Sequence, residues 1–257
     1  MHDDDHLLAR ELATQAGQRL LELRARGGEQ DMLRKAGDRL SHEFLVAGLA
    51  DRRPGDMVLS EEAADNSARL AAERVWIVDP LDGTREFGES GRTDWAVHVA
   101  LWEKGAANGS GDLTAGAVAL PAQGKVLSTV EPASSAGDDE PAAPLRIVVS
   151  RSRPPAFVRD ISDLISAKLV PLGSAGAKVA AVVSGEADAY IHGGGFYEWD
   201  TAAPVAVARA AGFHASRIDG SPLAYNQAEL LMPDILVCRP ALAGSLLQAI
   251  REVTNAT

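Results

Sequence analysis

From residue 145 onward the chain alternates short apolar runs with helix-forming segments, and this alternation limits the available folds more than any other feature. The apolar runs fall at 145–149, 169–172, 187–191 and 235–238. The helical segments fall at 155–167, 174–184, 199–211 and 241–253. A strand that must bury its side chains and a helix with one apolar stripe cover each other, so the pattern predicts a sheet flanked by helices. Upstream, Leu8, Leu12, Ala16 and Leu20 recur at helical spacing. A second helix is expected from Asp38, carrying Leu40, Phe44 and Leu45 inward and stopping before Pro54-Gly55. Runs at 57–59, 75–78 and 95–102 read as strands, and 115–120 with 125–130 as a hairpin about Pro121-Ala122-Gln123-Gly124. Residues 131–144 are rich in Pro, Ala, Ser and Asp and read as an exposed connector. The expected architecture is therefore α/β, a layered α+β sandwich, with one lobe at 1–144 and a second at 145–257.

Charge narrows the functional classes. The chain of 257 residues carries a formal net charge of -11, and such a surface repels a nucleic-acid polymer. It leaves room for a small phosphorylated ligand, because a bound metal attracts phosphate locally. Cys238 is the single cysteine. It lies in the apolar run Ile235-Leu236-Val237, where a small buried core residue is favoured over a reactive thiol. With no disulfide within the chain, an acidic N-terminus unlike a signal peptide, and no apolar run long enough for a bilayer, a cytoplasmic location is expected and a membrane partner is not.

Acidic residues gather where predicted strands end. Glu61 and Glu62 follow Met57-Val58-Leu59-Ser60, and Asp79 and Asp82 follow Val75-Trp76-Ile77-Val78. Strand ends are where α/β proteins place ligand sites. In Asp79-Pro80-Leu81-Asp82-Gly83-Thr84, Pro80 fixes one backbone angle and Gly83 permits angles closed to other residues. Such a turn can aim both aspartates and the Leu81 carbonyl at one point, the all-oxygen environment that Mg²⁺ prefers. Taken singly, each feature has an ordinary explanation. Asp-Gly is a common turn, Glu61-Glu62 a solvated loop, and Asp200 after Glu198-Trp199 a helix cap.

Taken in series, Glu61-Glu62, the hexapeptide 79–84 and Trp199-Asp200-Thr201-Ala202-Ala203 resemble the inositol monophosphatase superfamily. The resemblance implies a two-lobed, lithium-sensitive, Mg²⁺-dependent phosphatase that uses a metal-activated water. It implies that Glu61, Asp79 and the Leu81 carbonyl hold one metal, and that Asp79, Asp82 and Asp200 hold a second. Asp38 would stand near a third, weaker metal or its waters, giving two or three Mg²⁺ per site. Glu61 and Thr84 would orient and deprotonate the attacking water, and the N–H groups of Gly83 and Thr84 would receive the phosphate. Dimers occur in the family, but no feature of this sequence demands one.

The continuation Arg85-Glu86-Phe87 is similar to the CysQ-type branch, the 3'(2'),5'-bisphosphate nucleotidases. Asp219-Gly220-Ser221-Pro222-Leu223, Tyr225-Asn226 and Val149-Ser150-Arg151-Ser152-Arg153 are similar to it as well. That resemblance implies 3'-phosphoadenosine 5'-phosphate, PAP, as substrate and its sulfated form, PAPS, as a second. An inositol phosphate or fructose 1,6-bisphosphate is the alternative. A second phosphate needs its own cationic or N–H-rich pocket. Candidates are Arg151, Arg153 and Lys178, plus the N–H groups at Gly173-Ser174-Ala175, where a helix is predicted to start. The plain alternatives are solvated arginines, a lysine on a helix surface and an N-cap. Trp95, Phe196, Tyr197 and Tyr225 are equal candidates for stacking on adenine, and His98, within an apolar strand, reads as a core histidine.

Overall fold

The computed structural model describes residues 2–132 and 143–255. The chain opens with helices α1 (His2–Ala25) and α2 (Gln30–Arg52). The first sheet follows, built from β1 (Met57–Ser60), β2 (Arg74–Asp82), β3 (Ala96–Glu103), β4 (Asp112–Leu120) and β5 (Lys125–Ser128) in that spatial order. The short helix α3 (Thr84–Gly88) follows β2 directly. The remaining elements are β6 (Arg146–Ser150), α4 (Ala156–Leu164), β7 (Lys168–Leu172), α5 (Ala175–Val183), β8 (Ala189–His192), β9 (Phe196–Tyr197), α6 (Glu198–Ala210), β10 (His214–Ser216), β11 (Leu231–Met232), β12 (Ile235–Cys238) and α7 (Pro240–Asn255). The second sheet runs β10-β12-β8-β6-β7, and β11 pairs with β9 apart from it.

Three cores stack these elements into layers. Leu8, Leu12, Leu45 and Leu49 of α1 and α2 pack with Trp76, Val78, Val99 and Leu101 on one face of the first sheet. Val75, Ile77, Ala100 and Val118 on its other face meet α5, α6 and the second sheet. The far face of the second sheet is closed by α4 and α7 through Ile161, Leu246 and Ile250. Successive residues of β2 thus feed opposite cores, as the two-residue period of a strand requires. That explains why 75–78 is a continuous apolar run: a sheet covered on both faces needs no polar alternation. Cys238 is fully buried in the third core.

The layered α/β fold expected from the sequence is the one observed. The differences are local. Helix α2 starts at Gln30 rather than Asp38, because the Glu29 carboxylate caps it by accepting hydrogen bonds from the Asp31 and Met32 N–H groups. Asp38 therefore sits in mid-helix. Helix α4 ends at Leu164, short of residue 167, where Ser166 takes a left-handed φ of 54°. The short strands β9, β10 and β11 were not expected from the apolar pattern. Of the anticipated connector at 131–144, residues 133–142 lie outside the described residues.

Candidate active site

Strand β2 delivers the central carboxylates. Its pairing with β3 is regular to Asp79 opposite His98, then shifts so that Asp82 stands opposite Ala96. This irregularity re-aims the strand end, a common device beside active sites. β1 stops pairing at Val78, so Pro80 withholds no needed donor. The Asp79 carboxylate accepts the Leu81 N–H at 3.0 Å and pins the turn. Gly83 has a φ of 84°, and a Cβ there would lie 3.1 Å from the Asp94 carbonyl oxygen, so the turn admits little but glycine.

Around this turn the structure brings together most of the expected residues. Asp79 and Asp82 are buried. Glu61, just past β1, and Asp200, in the first turn of α6, face them closely enough that the charges of the cluster help to raise the pKa of Glu61, Asp79 and Asp200. Withdrawal from water is the larger cause for Asp79, followed by Glu61, Asp82 and Asp200; its pKa is pushed well above the usual carboxylate range. Burial, then Asp82, pushes Asp200 up to about 7. Glu61 is raised too, although its residue is open to solvent on one side. Asp200 also caps its helix, accepting the Tyr197 N–H at 2.6 Å. The cap and the cluster are thus two uses of one side chain.

On the opposite flank, the Thr84 hydroxyl lies 3.0 Å from the Leu81 carbonyl oxygen and 3.3 Å from Asp38 Oδ1. Burial, then Glu62, raises Asp38 to about 6. Mutually repelling carboxylates beside a buried backbone carbonyl are an unstable arrangement without a cation, and their oxygen donors fit a hard divalent ion. Asp79, Asp82 and the buried His98 form a group whose ligand atoms lie within 4.8 Å of one another.

The carboxylates open onto a cleft of about 320 Å³ lined by Glu61, Asp82, Thr84, Arg153, Lys178 and Asp200, among others. A larger cavity of about 500 Å³ lies beside Arg92, Lys125 and α5 but holds none of Glu61, Asp79, Asp82 or Asp200. Lys178 is no surface lysine. It is buried at the cleft floor, its ammonium donating to the carbonyls of Gly173 at 3.2 Å and Ser174 at 2.8 Å and lying 5.3 Å from the Tyr190 ring centroid. Burial lowers its pKa, with Asp82 and Asp200 opposing that shift.

Other expected substrate contacts are occupied by the protein itself. Arg151 forms ion pairs with Glu86 at 2.6 Å and Glu89 at 2.9 Å and is not among the cleft-lining residues. The Gly173 N–H donates to Asp94 at 2.6 Å, so it is not offered to an anion. The Ser174 hydroxyl donates to Asp82 at 2.5 Å and caps α5 by accepting the Ala177 N–H. Of the aromatics, Trp95 and Tyr225 are core residues. Phe196 and Tyr197 line the cleft, and Tyr197 is the exposed one, stacked on Trp199 with centroids 4.9 Å apart.

One residue of the site, His192, escaped the sequence reading. His192 lines the cleft between the rings of Tyr190 and Phe196, and burial, then Lys178 and Arg153, pushes it down to about 4. Its place at the end of a predicted strand was the available signal. His98 is buried as expected, but against the carboxylates rather than in an apolar core.

A layered α/β fold with clustered carboxylates at the mouth of a partly cationic cleft defines a metal-dependent hydrolase of phosphate esters. The chain belongs to the inositol monophosphatase family, which residues 6–255 match. It is 52% identical over 256 residues to a 3'-phosphoadenosine 5'-phosphate phosphatase of Mycobacterium leprae, covering 97% of this chain and 94% of that protein. The structure of CysQ from Bacteroides thetaiotaomicron superposes with a TM-score of 0.75 at 28% identity, over 92% of this chain and 97% of that one. Inositol monophosphatase II of Staphylococcus aureus has the same fold, with a TM-score of 0.78 at 21% identity over 93% and 92% of the two chains.

Proposed function

We propose that this chain is a cytoplasmic, Mg²⁺-dependent phosphatase that removes the 3'-phosphate of PAP. The observation that carries the reading is the set of side chains that share the cleft with the carboxylates. Glu61, Asp82 and Asp200 line it together with the cations Lys178 and Arg153 and the exposed ring of Tyr197. That matches a substrate with a phosphate to be cleaved, a phosphate to be held and a base to be stacked. The Mycobacterium leprae relative, which spans nearly the whole chain, supports the same substrate. Reading 1–144 and 145–257 as two lobes is supported by the two sheets, one on each side of that division.

Glu61, Asp79 and the Leu81 carbonyl would hold one Mg²⁺, and Asp79, Asp82 and Asp200 a second. Asp38, beside the Thr84 hydroxyl, would stand near a third. The chemistry such ions supply is neutralisation of the phosphoryl oxygens and activation of water. The chain's own groups do the rest. The Thr84 hydroxyl, held between the Leu81 carbonyl and Asp38, orients the water and passes its proton toward Asp38 Oδ1. A carboxyl raised to about 6 suits a base working near neutrality. Lys178 and Arg153 hold the 5'-phosphate, with Gly83 and Thr84 facing the 3'-phosphate.

The direct test is phosphate release from PAP, PAPS, inositol 1-phosphate and fructose 1,6-bisphosphate, each with and without Mg²⁺. Preference for PAP that requires the metal is the expected result. Faster turnover of inositol or fructose phosphate would overturn the substrate assignment and leave the metal chemistry standing.

A further inference from the structure

Glu86, the middle residue of Arg85-Glu86-Phe87, has no part in the reaction described above, yet it lines the cleft. It lies in α3, two residues after Thr84, and is buried. A glutamate is almost never buried unless it is paired, and this one is. Its Oε1 accepts hydrogen bonds from Arg151 Nε at 3.0 Å and Nη2 at 2.6 Å. Arg151 is held in turn by Glu89 at 2.9 Å, and its backbone N–H donates to the Leu172 carbonyl at 3.0 Å. A guanidinium tied at both ends fixes the rotation of the carboxylate that it binds. Arg151 is thus a strut for Glu86 rather than a ligand for phosphate.

The other oxygen, Oε2, takes no hydrogen bond from the described residues, and it is not sealed inside the protein. A carboxylate only accepts hydrogen bonds. It repels a phosphate group, so the partner that suits Oε2 is a neutral donor on the substrate. Its surroundings point to one donor. A Cβ on Gly173 would lie 2.8 Å from Glu86 Oε1, so the carboxylate rests against that glycine. The next residue, Ser174, donates its hydroxyl to Asp82 at 2.5 Å. Glu86 therefore stands beside the segment that touches a proposed metal ligand, close to where the phosphate to be cleaved would sit. In a nucleoside 3',5'-bisphosphate the donor next to that phosphate is the ribose 2'-hydroxyl. The amino group of the base lies at the far end of the molecule.

We infer that Glu86 sets specificity for the sugar, its Oε2 accepting a hydrogen bond from the hydroxyl vicinal to the phosphate that is cleaved. The inference rests on the function proposed above and gives Glu86 no part in the cleavage itself. Arg151 then acts through Glu86, as the group that holds the carboxylate in place.

The experiment is steady-state phosphate release, with Mg²⁺, from PAP and from 2'-deoxyadenosine 3',5'-bisphosphate, which lacks only that hydroxyl. Wild type, Glu86→Gln and Glu86→Ala are compared by the ratio of kcat/KM for the two nucleotides. Wild type is expected to favour PAP by about 10–100-fold, the span of a hydrogen bond to a charged group. Alanine should bring the ratio to about one, and glutamine, which keeps the shape and loses the charge, should leave it in between. A merely structural role for the Glu86–Arg151 pair would slow both nucleotides alike. An alanine variant that kept the wild-type ratio therefore overturns the inference, as does a wild-type protein that cleaves both nucleotides equally well. Should alanine prevent folding, an unchanged ratio in the glutamine variant overturns it instead. Wild-type protein that left both nucleotides intact while hydrolysing inositol 1-phosphate would overturn the substrate reading on which the role of Glu86 rests.

Discussion

Tyr197 and Asp82 separate the two halves of the proposed reaction at the level of single side chains. Tyr197 is exposed at the cleft and stacked on Trp199, so truncating it removes a platform for a base and little from the core. Stacking of a base on an aromatic ring contributes about 1–3 kcal/mol. Tyr197→Ala should therefore raise KM for PAP roughly tenfold or more and leave KM for inositol 1-phosphate unchanged. Steady-state kinetics on both substrates checks this, and an equal effect on both would remove Tyr197 from base recognition. Asp82→Asn keeps one carbonyl oxygen for the Ser174 and Gly176 donors, so the fold should persist. It loses the charge that a divalent ion needs, and Mg²⁺-dependent turnover should fall to background. Circular dichroism alongside the assay distinguishes a dead site from an unfolded one. Thr84→Val removes the hydroxyl between Leu81 and Asp38, and kcat should drop by about 100-fold or more.

Elements, rather than side chains, explain what the sequence did and did not reveal. The hexapeptide 79–84 was legible because every feature of its turn is local: a capping aspartate, a proline and a glycine with positive φ. The apolar runs of β2, β3, β6 and β12 were legible because both of their faces are covered. The start of α2 was not, since glutamate is a rare cap and residues 30–37 bury little beyond Gly37. The burial of Lys178 was hidden for a related reason. Helix α5 is buried on every side, so the one charged residue in it had no surface to occupy. Arg151 and Gly173 look like anion ligands in one dimension, but Glu86, Glu89 and Asp94 reach them from distant sequence. The tie between Arg69 and the 226–227 loop was equally invisible. Buried Arg69 donates to Asn226 Oδ1 at 2.7 Å and to the Gln227 carbonyl at 2.8 Å, while the N–H groups of both residues donate to Glu198 at the start of α6. Arg69→Leu should cost about 2–3 kcal/mol, the scale of hydrogen bonds to a charged group. Urea unfolding measures it, and a loss near zero would show that the loop holds its place unaided.

At the scale of the whole molecule, the carboxylate cluster makes stability depend on metal and pH together. Asp38 is raised to about 6 and Asp200 to about 7, and Asp79 and Glu61 are raised as well. A carboxyl whose folded pKa exceeds its unfolded value binds its proton more tightly in the folded state. Its contribution to stability is present below the unfolded pKa, near 4, and is lost as pH rises through the folded value. The metal-free protein should therefore lose stability across the interval from about 4 to about 8. Divalent ions displace these protons and bind only the ionised cluster, so their stabilising effect should grow over the same interval. At a concentration 100 times its dissociation constant, a ligand adds about 2.7 kcal/mol, or roughly 5–10 °C in Tm for a chain of this size. Thermal melts with EDTA or saturating Mg²⁺ at several pH values would show the two curves diverging as pH rises. Acid-side crowding of other groups would move both curves alike. Only the difference between them reports the cluster, and a difference that stayed constant with pH would mean that Mg²⁺ stabilises this protein somewhere else.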